Sequence, residues 1–134
     1  MSWQGIACAR ADLLLAAFSG DAVYRFDGAT ATLFASSPAM DGPTAMVYDP
    51  AGNLLVLNEF SHNVLKFNGT TGAAMGTFID SAALAAADPS FDPADMEIGA
   101  DGNLYLMGHF NSPFGDPKAI HKFSGTTTTL TVIA

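Results

Sequence analysis

Residues 43–78 read PTAMVYDPAGNLLVLNEFSHNVLKFNGTTGAAMGTF and contain one complete unit of a pattern that recurs before and after them. Its four apolar runs are typical of β-strands, and the clusters between them are rich in Asp, Asn, Gly and Ser, which favour turns. The runs are residues 45–48, 54–57, 64–67 and 73–79, and the turns are residues 49–53, 61–63 and 68–72. The stretch therefore predicts a four-stranded antiparallel meander.

The third run of this unit occurs three times in the chain. VYRFDG at residues 23–28, VLKFNG at residues 64–69 and IHKFSG at residues 120–125 are spaced by 41 and then 56 residues. The second run agrees, because LLL at residues 13–15 aligns with residues 54–56, and GNLYL at residues 102–106 repeats GNLLV at residues 52–56. Four short strands at a period of about 40 to 50 residues are typical of propeller blades.

The repeat predicts an all-β fold of the β-propeller type, in a single domain. Each chain supplies three four-stranded antiparallel blades, at about residues 1–41, 42–91 and 92–134. In the first blade the predicted strands are residues 6–9, 13–18, 23–26 and 32–35.

Two stretches resemble a known repeat. DPAGNLLV at residues 49–56 and GADGNLYL at residues 99–106, each followed by a Val/Ile-x-Lys-Phe run, look like NHL-type blades, related to those of gluconolactonase and virginiamycin-lyase propellers. The resemblance implies a propeller whose relatives include lactonases, lyases and binding modules. Near the end of the second strand, where such blades usually carry an acidic residue, this chain has Ala17, Asn58 and Gly108.

Composition narrows the possible partners. The 134 residues are 49% hydrophobic and 13% charged, with a formal net charge of −8. Nucleic acid and anionic membrane surfaces would repel such a chain, so neither is expected as a partner. We expect a soluble globular protein, because no apolar run is long enough to span a membrane and residues 13–18 match a strand rather than a signal peptide. The compartment stays open, and the single Cys8 is expected to be a small buried hydrophobe.

Two insertions interrupt the repeat. Residues 81–87, SAALAAA after Asp80, favour a short helix, and residues 111–117 separate the second and third strands of the third unit. In a propeller both connections emerge on the same face. Insertions on one face either mark a binding surface or reflect neutral variation in loops.

Polar residues near the ends of the second strands point toward this face. Glu59 and His109 occupy the same repeat position, and Asn58 and Asn111 lie beside them. These four residues are the predicted ligand contacts.

A second candidate site is acidic. Asp95 and Glu97 stand in the innermost strand of the third unit, where the second unit has Ala45 and Val47. Residues two apart on a strand share a face, and two close carboxylates favour a cation between them. The pattern indicates an acidic central channel with a possible divalent cation such as calcium; participation of His109 would admit a transition metal.

Three function classes follow. The first is a binding module for a small molecule, glycan or peptide. The alternative is a metal-dependent hydrolase or lyase, lactonase-like, with its metal near Glu97 and with Glu59 or His109 as acid or base. The third is a structural interaction domain. No nucleophile motif, phosphate-binding loop or zinc spacing selects an enzyme.

The number of blades also predicts a partner. All three units have apolar second strands, so every sheet is expected to need a neighbour on both faces. Three blades do not close a ring, whereas two chains make six, within the usual four to eight. We expect a homodimer of about 28 kDa, twice the 13.9 kDa chain.

Overall fold

The computed structural model describes residues 13–110, 118–123 and 130–132. These residues form three antiparallel β-sheets and one short α-helix, which confirms the all-β prediction. The strands are β1 Leu13–Ala17, β2 Ala22–Phe26, β3 Ala31–Ser36, β4 Pro43–Tyr48, β5 Leu54–Asn58, β6 Asn63–Phe67, β7 Ala74–Ile79, β8 Phe91–Ile98, β9 Leu104–Phe110, β10 Lys118–Phe123 and β11 Leu130–Val132, and the helix is α1 Ser81–Ala87. The predicted strand at residues 6–9, Cys8 and the loop at residues 111–117 lie outside the described residues.

Each sheet is a meander of consecutive strands. Sheet 1 has the order β1-β2-β3, sheet 2 the order β4-β5-β6-β7, and sheet 3 the order β8-β9-β10-β11. Sheet 2 lies within the second predicted unit, and sheet 3 begins at Phe91, one residue before the predicted third unit.

The turn between the first two strands of sheets 2 and 3 shows why the repeat folds twice in the same way. In sheet 2 the amide of Asp49 donates to the carbonyl of Asn53 at 2.8 Å, and Gly52 has a φ of 82°. In sheet 3 the amide of Gly99 donates to the carbonyl of Asn103 at 2.9 Å, and Gly102 has a φ of 77°. Glycine adopts such positive φ values with little steric cost, so the Gly-Asn pair fixes both turns.

Sheet 2 is covered on both faces. Leu54 and Val56 pack toward sheet 1 in one apolar cluster, whereas Leu55 and Leu57 pack toward sheet 3 in another. All four side chains are at most 1% exposed. A strand buried on both faces reads as a continuous apolar run, which is why LLVL shows no alternation.

The outer faces of sheets 1 and 3 differ from each other. On sheet 1, Leu13, Leu15 and Leu33 are 54%, 45% and 61% exposed. The outer face of sheet 3 carries Asp95 and Glu97, both exposed. The expectation that every sheet needs a neighbour on both faces therefore fits the outer face of sheet 1 better than that of sheet 3. In sheet 3 the apolar side chains of Leu104 and Leu106 both face inward, toward sheet 2.

The predicted helix at residues 81–87 is confirmed. The Asp80 side chain accepts a hydrogen bond from the amide of Ala83 at 2.7 Å, as an N-cap residue does. Leu84 is 2% exposed and packs into the core between sheets 2 and 3. Within the described part of the chain, no helix has the length and apolar character needed to cross a membrane.

Candidate functional site

Asn58, a predicted ligand contact, lies fully buried at the end of β5. Its Nδ2 donates to Oδ1 of Asn63 at 2.9 Å, and Nδ2 of Asn63 donates to the carbonyl of Ala39 at 3.1 Å. This chain of amides ties the β5–β6 hairpin to the connection between sheets 1 and 2. Oδ1 of Asn58 has no hydrogen-bond partner among the described residues. Its burial and its contacts fit a structural role in the hairpin.

Glu59, the next predicted contact, lies in the β5–β6 loop and is half-buried. Its amide donates to the carbonyl of Gly42 at 2.8 Å, and the amide of Phe60 donates to the carbonyl of Asp41 at 3.3 Å. The β5–β6 loop is therefore held against the connection between β3 and β4.

An exposed aromatic pair lies beside Glu59. The rings of Phe18 and Phe60 meet edge to face with centroids 5.1 Å apart, although the two side chains are 40% and 62% exposed. Gly42 passes directly beneath them, because a Cβ there would lie 2.8 Å from the Phe60 ring and 3.2 Å from the Phe18 ring. The pair is thus a packed but solvent-facing platform formed by sheets 1 and 2.

Three acidic residues adjoin this platform, through the backbone of Gly42 or as sequence neighbours of Gly42 and Phe60. The side chain of Asp21 accepts a hydrogen bond from the amide of Gly42 at 3.0 Å. Asp41, which precedes Gly42 in the connection between β3 and β4, is exposed, and Glu59 directly precedes Phe60. We call Phe18, Phe60, Asp21, Asp41 and Glu59 the loop-face cluster. It combines two apolar rings with three acidic residues.

The two other predicted contacts are less well defined. His109 lies on β9, where its backbone pairs with Asp92 and Lys118, but its side chain is not among the described ones. Asn111 lies outside the described residues. Their assignment as ligand contacts stays a prediction.

A histidine of the β5–β6 loop bridges sheets 2 and 3. His62 has a φ of 46°, and its Nε2 lies 3.4 Å from Oδ1 of Asp92 on β8. The sequence indicated a turn residue for His62, and the contact with Asp92 adds a link between the two sheets.

The predicted metal residues Asp95 and Glu97 lie on β8. Their cross-strand partners are Met107 and Tyr105, and both carboxylates face away from sheet 2. Asp95 accepts a hydrogen bond from the neighbouring amide of Met96 at 2.8 Å. Among residues 13–110, 118–123 and 130–132, no group of three His, Cys, Asp or Glu is arranged to hold a metal ion. The cation, and with it the hydrolase or lyase alternative, stays a prediction.

Three cations at equivalent repeat positions lie toward the strand ends that are opposite the loop-face cluster. Each lies over an aromatic ring: Arg25 over Phe34 at 4.5 Å, Lys66 over Phe78 at 5.6 Å, and Lys122 over Tyr105 at 5.6 Å. This geometry indicates that the aliphatic stems of the three cations pack along the sheets.

Both lysines of this set contact carboxylates. Lys122 lies 2.7 Å from Asp101, and its hydrogen bond is the main reason why the pKa of Asp101 falls well below its usual range; the same bond raises the pKa of Lys122. Lys66 lies 3.2 Å from Asp49. Burial alone would raise the pKa of Asp49, but hydrogen bonds from Asn53 and Lys66 outweigh it and lower the pKa.

A small cavity of about 180 Å³ lies between sheets 2 and 3 at this end. Asp49 and Lys66 line it together with apolar groups such as Leu55, Leu104 and Phe123. Ligand pockets commonly measure about 300 to 1,000 Å³, so this cavity is small for a ligand site.

Fold and surface together define an all-β protein of three packed antiparallel sheets with an aromatic and acidic loop face. Comparison of the sequence with protein-family models and with curated proteins gave no significant match.

Proposed function

We propose that this protein is a binding module of the β-propeller type that uses its loop-face cluster to bind a peptide segment presenting arginine or lysine. The observation that carries the proposal is the exposed Phe18–Phe60 pair, which Asp21, Asp41 and Glu59 adjoin. Aromatic residues left exposed at a fixed position commonly mark contact sites.

The charge of the cluster selects the ligand class. A guanidinium or ammonium group is attracted to the face of an aromatic ring and forms charge-assisted hydrogen bonds with carboxylates. Asp21, Asp41 and Glu59 supply the carboxylates. The cations whose side chains the structure describes, Arg25, Lys66 and Lys122, lie toward the opposite strand ends, whereas the backbone of Lys118 pairs with His109 at the loop-face end of sheet 3. A basic segment therefore complements this face better than an acidic or a neutral one.

The propeller architecture is supported by a recurring packing square. On one face of each sheet, two cross-strand pairs lie side by side. They come from β1 and β2 in sheet 1, from β5 and β6 in sheet 2, and from β9 and β10 in sheet 3. The pairs are Leu13 with Phe26 and Leu15 with Tyr24 in sheet 1, Leu54 with Phe67 and Val56 with Leu65 in sheet 2, and Leu104 with Phe123 and Leu106 with His121 in sheet 3. In sheet 2 all four side chains of the square pack against sheet 1, and in sheet 3 Leu104, Leu106 and Phe123 pack against sheet 2.

Sheet 1 presents the same square, and no sheet formed by the described residues packs on it. The opposite face of sheet 3, with Tyr105, Met107 and Ile120, corresponds by repeat position to the faces of sheets 1 and 2 that already accept such a square. Sheet 3 of one copy can therefore cover sheet 1 of another, and two copies give a six-bladed ring with two equivalent junctions. This homodimer is part of the proposal, and the loop face stays accessible in it because it lies at the strand ends.

The peptide proposal is tested with an array of peptides in which arginine or lysine is flanked by apolar residues, each matched by a glutamine variant. We expect binding to the basic peptides, weakened by about tenfold or more in Phe60→Ala, as is typical of a central aromatic contact. Glu59→Gln is expected to weaken the salt dependence of binding. The control is Met75→Ala, which truncates a side chain that is 52% exposed on β7, away from the cluster.

Binding that ignores the charge of the peptide, or that is unchanged in Phe60→Ala, would contradict the proposal. Absence of binding to the peptides together with binding to a glycan array, lost in Phe60→Ala, would assign the platform to sugars instead.

A further inference from the structure

The first strands of sheets 2 and 3 differ at two equivalent positions. On β4, Ala45 and Val47 lie opposite Leu57 and Leu55. On β8, Asp95 lies opposite Met107, the repeat equivalent of Leu57, and Glu97 lies opposite Tyr105, the equivalent of Leu55. The two pairs therefore occupy the same place on the same face of their sheets.

In sheet 2 these two positions lie on the face that packs against sheet 3. Ala45 and Val47 are partly buried and pack against the apolar core shared by sheets 2 and 3. By the repeat, Asp95 and Glu97 belong to the junction that would form if another sheet packed on the outer face of sheet 3. They are exposed in the single chain, so their charges are hydrated there.

The described part of the surface that would pack on the outer face of sheet 3 offers little compensation. The outer-face side chains of β1, β2 and β3 are uncharged: Leu13, Leu15, Tyr24, Phe26, Ala31 and Leu33. Lys122, on the same face as Asp95 and Glu97, already contacts Asp101 at 2.7 Å. Removing a carboxylate from water without a partner is unfavourable.

We propose that Asp95 and Glu97 set the strength of the junction between two copies of this chain. The inference rests on the proposed ring and specifies how it is controlled. The two carboxylates make each junction between copies weaker than the two junctions within a chain, where Ala45 and Val47 show the apolar alternative. The two copies can then separate and reassociate while each chain keeps its three sheets. The carboxylates on the outer face of sheet 3 also disfavour nonspecific binding of other apolar surfaces.

The test replaces the two carboxylates by the residues that sheet 2 carries at these positions, Asp95→Ala with Glu97→Val. We expect the dimer dissociation constant, measured by sedimentation equilibrium over a broad concentration range, to fall by about tenfold or more. Asp95→Asn with Glu97→Gln removes the charges without adding apolar surface and is expected to give a smaller decrease. Asp95→Glu with Glu97→Asp keeps both charges and serves as the control, with a dissociation constant near that of the parent.

The outcomes separate this inference from the ring itself. A parent dimer whose dissociation constant is unchanged or raised in the Ala/Val variant would overturn the role of Asp95 and Glu97 and leave the ring in place. A parent and an Ala/Val variant that are both monomeric at every concentration would overturn the ring and this inference together. A monomeric parent with a dimeric Ala/Val variant would support the role of Asp95 and Glu97 and overturn the dimer proposed for the parent chain.

Discussion

Asp49 and Asp101 hold equivalent lysines from different positions of equivalent turns. Asp49 is the first residue of its turn and accepts amide hydrogen bonds from Ala51 and Asn53, while its other oxygen lies 3.2 Å from Lys66. Asp101 is the third residue of its turn and contacts Lys122. In sheets 2 and 3, therefore, one carboxylate of this turn contacts the lysine, but the repeat does not fix which turn position supplies it.

The contacts of Asp49 predict a pH-dependent contribution to stability. Since the pKa of Asp49 is lowered in the folded protein, its contribution is fully present above the unfolded-state pKa and is lost as the pH falls through the folded-state pKa. At neutral pH, Asp49→Ala is expected to lower the free energy of unfolding by about 2 kcal/mol, because it removes several hydrogen bonds to a charged group. Urea unfolding of parent and variant at one protein concentration, at neutral and at strongly acidic pH, measures the difference.

The control for this prediction is Asp41→Ala, which removes an exposed carboxylate and is expected to change stability by less than about 0.5 kcal/mol. A difference between parent and Asp49→Ala that is the same at both pH values would show that the charge of Asp49 does not stabilise the fold.

At the scale of elements, the β6–β7 turn locks sheet 2 onto sheet 1. Arg25 on β2 donates to the carbonyl of Thr70 at 3.2 Å, across the two sheets. Gly72, with a φ of 74°, lies against the carbonyl of Phe34 on β3 so closely that a Cβ would collide with it. A turn that closes a hairpin in one sheet thus also packs on the next.

Two glycine substitutions separate these roles. Gly52 has a φ of 82° but open space around its Cα, so Gly52→Ala is expected to cost about 1 to 2 kcal/mol from backbone conformation alone. Gly72→Ala adds the collision with Phe34 and is expected to cost at least about 1 kcal/mol more. Thermal unfolding of both variants compares the two costs. Equal destabilisation would show that sheets 1 and 2 are not packed closely at this turn.

Elements were predictable from this sequence where one local signal decides them. The repeated Val/Ile-x-Lys-Phe run and the Asn-Leu start of the second strands located most strands, and Asp80 with the alanine run located α1. The Phe18–Phe60 platform was missed because the two residues are far apart in sequence and meet only when sheets 1 and 2 pack. One signal was available. Phe18 lies 41 residues before Glu59 and so occupies the same repeat position, which places an apolar residue where a polar one was expected. The burial of Asn58 was also unpredictable, because it depends on the partners Asn63 and Ala39.

At the scale of the whole molecule, the two outer faces are unequal. The inner faces of all three sheets form two apolar clusters, one between sheets 1 and 2 and one between sheets 2 and 3. The outer face of sheet 1 leaves large apolar side chains in water, and the outer face of sheet 3 mixes apolar and charged groups. A ring made by two copies would cover both faces and would place the same kind of square at each of its junctions.

The ring predicts the effect of one charge on the outer face of sheet 1. Leu15 is 45% exposed in the single chain, so Leu15→Glu is tolerated by the fold, but in the ring it would add a third carboxylate to a junction that already holds Asp95 and Glu97. We expect a parent dimer of about 28 kDa, twice the 13.9 kDa chain, and a Leu15→Glu variant that is monomeric with unchanged β-sheet circular dichroism. Met75→Glu, at a side chain 52% exposed on β7 and outside both faces of the proposed junction, is the matched control and is expected to stay dimeric. Light scattering after size-exclusion chromatography gives the masses. A Leu15→Glu variant that remains dimeric would exclude this face from the interface, and loss of dimer in Met75→Glu as well would mean that added charge, not position, separates the copies.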